Sequence, residues 1–196
     1  MFNYWFNINI WYNIIVKLRV QWINELLAKT NKWGANFKIN RGRTAYFGKK
    51  VEFNGLKFDS EKEAKFYERF IYGRDLNATV HESFTIQPMV ELHKGLRLRS
   101  ANYTPDVVIR DEYGELLHVY DVKTGFNSTY NIDPAAQLRF KMFAKQYGIP
   151  VEIVVPRVHD FRVKVVGLTK KTNPIIKDDV EYKWQDALEE MTKKEG

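Results

Sequence analysis

The stretch YTPDVVIRDEYGELLHVYDVKT, residues 103–124, most constrains what this chain can become. Two apolar runs flank the turn-forming DEYG, which predicts a β-hairpin. With the turn centred on Tyr113-Gly114, Asp106 falls opposite Asp121, Val108 opposite Val119 and Arg110 opposite Leu117. A four-residue loop over 111–114 shifts that register by two and keeps both aspartates on one face, whereas a bulge would break the relation. Side chains alternate along a strand, so Lys123 shares the face of Asp121.

Like charges opposed across two strands destabilise a sheet. A divalent cation offsets the repulsion, and a hard ion such as Mg²⁺ is typically held by one or two carboxylates, waters and substrate phosphate. A lysine beside it can act on water and offset charge building on phosphorus. Two acids, a lysine and a metal suffice for metal-assisted phosphodiester hydrolysis. The competing reading is an ordinary Asp121–Lys123 surface pair, with Asp106 merely starting a strand. Isolated charges at the end of an apolar run favour function.

Of the 196 residues, 44% are hydrophobic, as in a globular protein. There is no cysteine, which excludes disulfides and thiolate metal sites and fits a reducing compartment. His81, His93, His118 and His159 match no ligand spacing and are expected to be bystanders, so any metal should have oxygen ligands. The net charge of +7 is unevenly spread. Residues 1–50 hold nine Lys/Arg and one acid, while residues 51–196 hold 22 Lys/Arg and 23 acids. A basic N-terminal extension on a near-neutral body suits a polyanion.

Residues 1–16, MFNYWFNINIWYNIIV, are uncharged. They fit strand alternation and also a helical stripe; VKLRVQWINELLAKT continues the stripe and favours a helix over about 11–29. Four Asn interrupt the run, so a membrane span is not expected. Residues 29–50 carry seven Lys/Arg and no acid. Interleaved aromatics make them a candidate nucleic-acid arm, with Lys38, Arg41, Arg43, Lys49 and Lys50 as phosphate contacts; the alternative is a linker packed on the core.

Further along, VEFNGLKF (51–58) predicts a hairpin around Asn54-Gly55. DSEKEAKFYERFIYG (59–73) predicts a helix ending at Gly73. HESFTIQPMVEL (81–92) predicts a strand that Pro88 confines to an edge or ends. DPAAQLRFKMFAKQYG (133–148) predicts a helix with Pro134 in its first turn and Gly148 past its end. IPVEIVVP (149–156) predicts a buried strand and FRVKVVGL (161–168) another. DDVEYKWQDALEEMTKKEG predicts a polar C-terminal helix. This order implies an α/β core with a mixed sheet.

TPD followed fifteen residues later by DVK resembles the PD-(D/E)xK nuclease superfamily. The wider pattern NGLKFDSEKEAKFY…IQPMVEL…YTPDVVI…GELLHVYDVKT is similar to its phage-encoded branch related to Holliday-junction resolvases, over roughly residues 51–156. The resemblance implies a restriction-endonuclease-like core: a mixed central β-sheet flanked by helices. It makes Asp106 and Asp121 metal ligands, with the Val122 carbonyl another, and Lys123 the catalytic lysine. It also implies an acid from the first helix, where Glu63 fits best. Glu63 has a competing role, because Ser60 to Glu63 is a capping box. Gln87, Gln137, Tyr130 and Lys141 are implied supporting or DNA-contacting residues, against structural or solvated alternatives.

The expected organisation is therefore an N-terminal extension (1–50), a nuclease core (51–168) and a C-terminal helical tail (169–196). The expected activity is Mg²⁺-dependent DNA endonuclease, with Mn²⁺ substituting, possible action on branched DNA, a homodimer and a cytoplasmic location. The alternative is a silent nuclease-fold protein that binds DNA or a host protein.

Overall fold

The computed structural model describes residues 50–127 and 132–193. The expected N-terminal helix and arm, with Lys38, Arg41, Arg43 and Lys49, lie outside the described residues, as does Tyr130. The chain opens with a short hairpin, β1 (Val51–Phe53) and β2 (Leu56–Phe58), then α1 (Glu61–Phe70). Strands β3 (Asn77–Val80), β4 (Phe84–Gln87), β5 (Val90–His93), β6 (Leu96–Leu98) and β7 (Ala101–Tyr103) come after it. Next are β8 (Val107–Arg110), β9 (Leu116–Val122) and α2 (Pro134–Tyr147). The chain continues through β10 (Glu152–Pro156), β11 (Phe161–Lys164), β12 (Ile175–Lys177) and α3 (Trp184–Thr192).

Six strands form the central sheet in the order β12-β11-β10-β9-β8-β3. Neighbours are antiparallel except β9 and β10, which run parallel. A parallel pair needs a crossover, and α2 supplies it. The sheet is mixed, as the alternation of elements implies. Strands β9 and β10 are buried on both faces. Tyr120 and Val122 meet Phe66 and Phe70 of α1, Phe161, and Ala187 and Met191 of α3 on one side. Val119 and Ile153 meet Phe140 and Phe143 of α2, with Phe84 and Tyr103, on the other. Burial on both faces explains why these strands read as nearly continuous apolar runs.

Local chemistry accounts for the boundaries. Asn54 and Gly55 take φ of 50° and 76°, the backbone that a two-residue hairpin turn requires. Ser60 caps α1 by accepting the Glu63 N–H. The Asp133 carboxylate caps α2 at 2.7 Å from the Ala136 nitrogen, and Gly148 ends it at φ 75°. Pro88, which has no N–H and a fixed φ, divides the expected 81–92 strand: β4 pairs with β7 and β5 with β6. The β5–β6 ribbon is exposed along its length. Strand β3 has no counterpart among the sequence expectations. It is four residues long, half exposed and at the sheet edge, so it carries little apolar signal.

The expected division at residue 168 is not a boundary of the sheet. Strand β12 extends the sheet beyond β11, and Ala187 and Met191 are buried in the core. The C-terminal helix is also shorter than expected, because residues 178–183 approach it as irregular chain. No helix among the described residues is long and apolar enough to cross a membrane.

Burial of Met191 should make it expensive to truncate. Met191→Ala is expected to lower stability by roughly 2–5 kcal/mol in urea unfolding. Ile176→Ala, at an exposed position on β12, should change it by less than about 0.5 kcal/mol. Equal effects would contradict packing of α3 on the core.

Candidate active site

The hairpin register is the one the turn implies: Val107 pairs with Tyr120, Val108 with Val119 and Ile109 with His118. A bulge does occur, but next to the turn, where Arg110 pairs with Leu116 instead of the expected Leu117. It lies on the turn side of the Ile109–His118 pair, so the pairs that lead to Asp106 and Asp121 keep the expected register. Asp111 stabilises the turn by accepting the Tyr113 and Glu115 N–H groups at 2.9 and 2.8 Å.

Asp106 immediately precedes β8. Its amide donates to the Tyr120 carbonyl at 3.0 Å, and its carboxylate accepts the Val122 N–H at 2.5 Å. One aspartate thus spans the end of the ladder and is held on both sides. Asp121 is buried at 6% exposure. Its Oδ1 accepts the Tyr103 hydroxyl at 3.2 Å, and its Oδ2 faces the Lys123 ammonium as an ion pair. Val122 is buried beside them, its N–H committed to Asp106.

Glu63 comes from the first turn of α1 and is buried. Its carboxylate takes the Ser60 hydroxyl at 2.7 Å and the Asp59 N–H at 2.9 Å. The capping box is therefore real, with the Asp59 N–H in place of the Ser60 N–H that such a box ordinarily uses. It does not exclude a role at the site, because the same carboxylate lies beside Asp106 and His81. Possible ligand atoms of Glu63, His81 and Asp106 all fall within 4.8 Å of one another. Glu61 and Glu68, the other acids of α1, are exposed.

His81 corrects the expectation that all four histidines are bystanders. It directly follows β3, whose Val80 pairs with Val107. Its amide donates to the Asp106 carbonyl at 3.3 Å. Only the β3–β8 pairing brings it to Asp106, so no spacing along the chain announces it. Its φ of 53° is uncommon for a residue other than glycine. Tyr103 is a second residue that the motif does not single out, though it begins the stretch that defines the hairpin. It is buried against Phe140 and Phe143 with its hydroxyl on Asp121.

Charge crowding sets the electrostatics. Burial, then the Asp121 and Glu63 carboxylates, push Asp106 well above the ordinary carboxylate range; Lys123 and the Val122 N–H oppose this only in part. For Lys123, burial favours the neutral amine. Asp121, and more weakly Asp106 and Glu63, outweigh it and hold the ammonium above its usual value. Burial and both aspartates likewise raise Tyr103, while Arg139 on α2 pulls it slightly the other way. In the protein alone Lys123 is a cation and Tyr103 a neutral donor.

The remaining expected residues are dispersed. Gln87 closes β4 opposite Ala101, at the far end of its ribbon from Tyr103. Gln137 donates to the Ile132 carbonyl at 3.3 Å inside its own helix start. Lys141 is exposed, its stem lying against Gly167. Lys50 is exposed and paired with Asp59 at 3.3 Å.

A cavity of about 710 Å³ lies elsewhere, near the start of β9, lined by residues including Leu116, His118, Tyr182 and Trp184. Size alone does not make it the better site, because the buried polar groups beside it satisfy one another. His118 meets Glu152 at 2.6 Å and the Tyr182 carbonyl at 2.8 Å, and the Tyr182 hydroxyl donates to Glu152 at 2.7 Å. By contrast, the buried His81 Nε2 makes no hydrogen bond among the described residues and stands 3.4 Å from Glu63 Oε2. It lies at the carboxylate cluster, where Asp121 Oδ2 has the Lys123 ion pair. Buried polar atoms normally have closer partners than His81 Nε2 does. That nitrogen, with an N/O donor set that carries excess negative charge, fits a divalent cation.

The raised Asp106 fixes a sign. A carboxyl whose folded value exceeds its unfolded one binds more protons when folded. Stability is then lost as pH rises from the ordinary carboxylate range through the raised value. In metal-free buffer with chelator, Asp106→Asn is expected to be more stable than the parent at neutral pH. The gain should shrink as pH falls towards about 4. Thermal unfolding across pH measures this, and a pH-independent difference would contradict it.

A family model described as a protein of unknown function (DUF1064) matches residues 43–155, more than half of the chain. The match spans Glu63, His81, Asp106, Asp121 and Lys123. No curated protein and no solved structure matches the chain.

Proposed function

The chain belongs to the DUF1064 family, and we propose that it is a divalent-metal-dependent DNA endonuclease built on a restriction-endonuclease-like core. One observation carries the proposal: α1 and the β8–β9 hairpin bring Glu63, Asp106, Asp121 and Lys123 to one end of the mixed sheet. The PD…DxK resemblance supports the same reading. Structural stability alone does not call for three carboxylates in one partly buried place, since each raises the cost of ionising the next.

Glu63, Asp106 and Asp121 would hold the ion, with Mg²⁺ or Mn²⁺ as the candidates. When bound, such an ion supplies positive charge against the phosphoryl oxygens as the transition state forms. Lys123 is placed by its ion pair with Asp121 and is held protonated. In that state it serves better as a donor to a phosphoryl oxygen or to the attacking water than as a base. The Tyr103 hydroxyl keeps Asp121 in position from the α2 side. Hydrolysis forms a bond from water oxygen to phosphorus and breaks the bond from phosphorus to the 3′ oxygen, which leaves with a proton. The products are a 5′-phosphate and a 3′-hydroxyl. By the resolvase resemblance, branched DNA is the first substrate to test and a homodimer is expected, because two symmetric strands must be cut. The basic residues 17–50 would add phosphate affinity that falls steeply with salt.

The test uses supercoiled plasmid and a synthetic four-way junction, each with Mg²⁺, Mn²⁺ or chelator. The parent is expected to cut only with metal. Asp121→Ala and Lys123→Ala should each lose at least roughly 10²-fold in rate. Metal-independent cutting, or cutting indifferent to both substitutions, would refute the proposal. Tight DNA binding without any cutting would instead favour a binding protein on a nuclease fold.

A further inference from the structure

We propose that His81 is a nitrogen ligand of the metal centre and makes it select Mn²⁺, a first-row transition ion, over Mg²⁺. The inference rests on the metal site of the proposed function and adds a donor that the PD…DxK pattern does not contain.

His81 Nε2 is buried and makes no hydrogen bond among the described residues. It stands 3.4 Å from the carboxylate oxygen Glu63 Oε2. That separation exceeds the 2.7–3.2 Å of an N–H···O hydrogen bond. An ordinary histidine–glutamate pair would close the gap. Two donors on one ion, each about 2.0–2.2 Å from it, lie up to roughly 4.4 Å apart. Donor atoms of Glu63, His81 and Asp106 within 4.8 Å of one another need contract only slightly to share an ion.

The backbone argues the same way. His81 adopts φ 53°, and the adjoining β3–β8 pairing and the hydrogen bond from its N–H to the Asp106 carbonyl hold it there. A left-handed conformation at a residue other than glycine is unfavourable and persists where the surroundings impose it. Here the surroundings are the two strands that flank the cluster, and the ring is directed at the acids.

Ligand chemistry then sets the preference. Mg²⁺ favours oxygen donors and keeps several waters. Mn²⁺ also takes oxygen donors, but as a first-row transition ion it accepts an imidazole nitrogen more readily than Mg²⁺ does. Mn²⁺ exceeds Mg²⁺ at most sites to some degree, so the informative quantity is how the ratio of affinities changes when the nitrogen is removed.

Two variants test this. His81→Ala deletes the ring. His81→Asn tolerates the left-handed backbone while replacing nitrogen with an oxygen donor. Thermal unfolding in chelator checks that each is folded. Mn²⁺ and Mg²⁺ affinities are measured by calorimetry without DNA, and pulsed electron paramagnetic resonance reads nitrogen coupling to bound Mn²⁺. The parent is expected to show that coupling and to bind Mn²⁺ more tightly than Mg²⁺. Both variants should lose the coupling, and their Mn²⁺/Mg²⁺ affinity ratio should fall at least about tenfold. Absence of coupling in the parent, no Mn²⁺ binding, or a ratio unchanged in a folded variant would overturn the inference. The two proposals fail separately. A protein that binds Mn²⁺ through His81 but cuts no DNA loses only the nuclease reading. One that cuts DNA with a ratio indifferent to His81 loses only this one.

Discussion

The register of the β8–β9 hairpin decides where every charged group at the end of the sheet falls. Asp106 bonds the β9 backbone twice, through its own amide and through its carboxylate on the Val122 N–H. Sliding the hairpin by one residue would turn Asp121 to the opposite face and bury a different set of side chains. Val108 and Val119 on one face and Tyr120 on the other oppose such a slip, because each has its own apolar layer waiting. The apolar packing that fixes the strand thus also fixes the carboxylates.

That coupling explains how the chain tolerates the cluster. Three partly or fully buried acids with one lysine leave uncompensated negative charge, and the electrostatics of Asp106 reflect it. The cost falls on the sheet's end, while Phe66, Phe70, Phe140, Phe143 and Phe161 build the two layers behind it. A few kcal/mol of local destabilisation can be carried by a core in which each such side chain contributes roughly 1.5–3 kcal/mol by burial. A cation bound at the proposed site would recover part of that cost.

Legibility in the sequence tracks the range of the interactions. The Asn54-Gly55 turn, the Ser60 cap, the Asp133–Pro134 start and Gly148 stop of α2, and the register from Asp106 to Asp121 all depend on residues near one another in the chain. Each is readable from local chemistry. Strand β3, the sheet edge at β12 and the arrival of His81 beside Asp106 depend on pairings across longer stretches, and no periodicity carries them. Lys141 and Gln137 share a helix face, as their spacing implies, but local contacts occupy them: Gln137 donates to the Ile132 carbonyl and the Lys141 stem lies against Gly167. The bulge at Leu117 is also silent in the sequence, yet it costs nothing, because it lies on the turn side of the pairs that align the aspartates.

Glu63 shows why capping and chemistry need not be alternatives. A capping glutamate accepts hydrogen bonds at the start of its helix, and here the Ser60 hydroxyl and the Asp59 N–H lie on its two oxygens. Each carboxylate oxygen has a second lone pair, so both bonds leave acceptor capacity directed at Asp106 and His81. The cap therefore works as a positioning device. It removes the rotamer freedom a glutamate would otherwise lose on binding an ion, and it places the negative charge at the helix N-terminus, where the backbone dipole favours it. A glutamine keeps one oxygen for the Asp59 N–H and can donate its NH₂ to the Ser60 hydroxyl, so it would hold the cap with one bond reversed and lose the charge. The cap and the proposed metal-ligand role of this residue can thus be separated chemically although they share every atom.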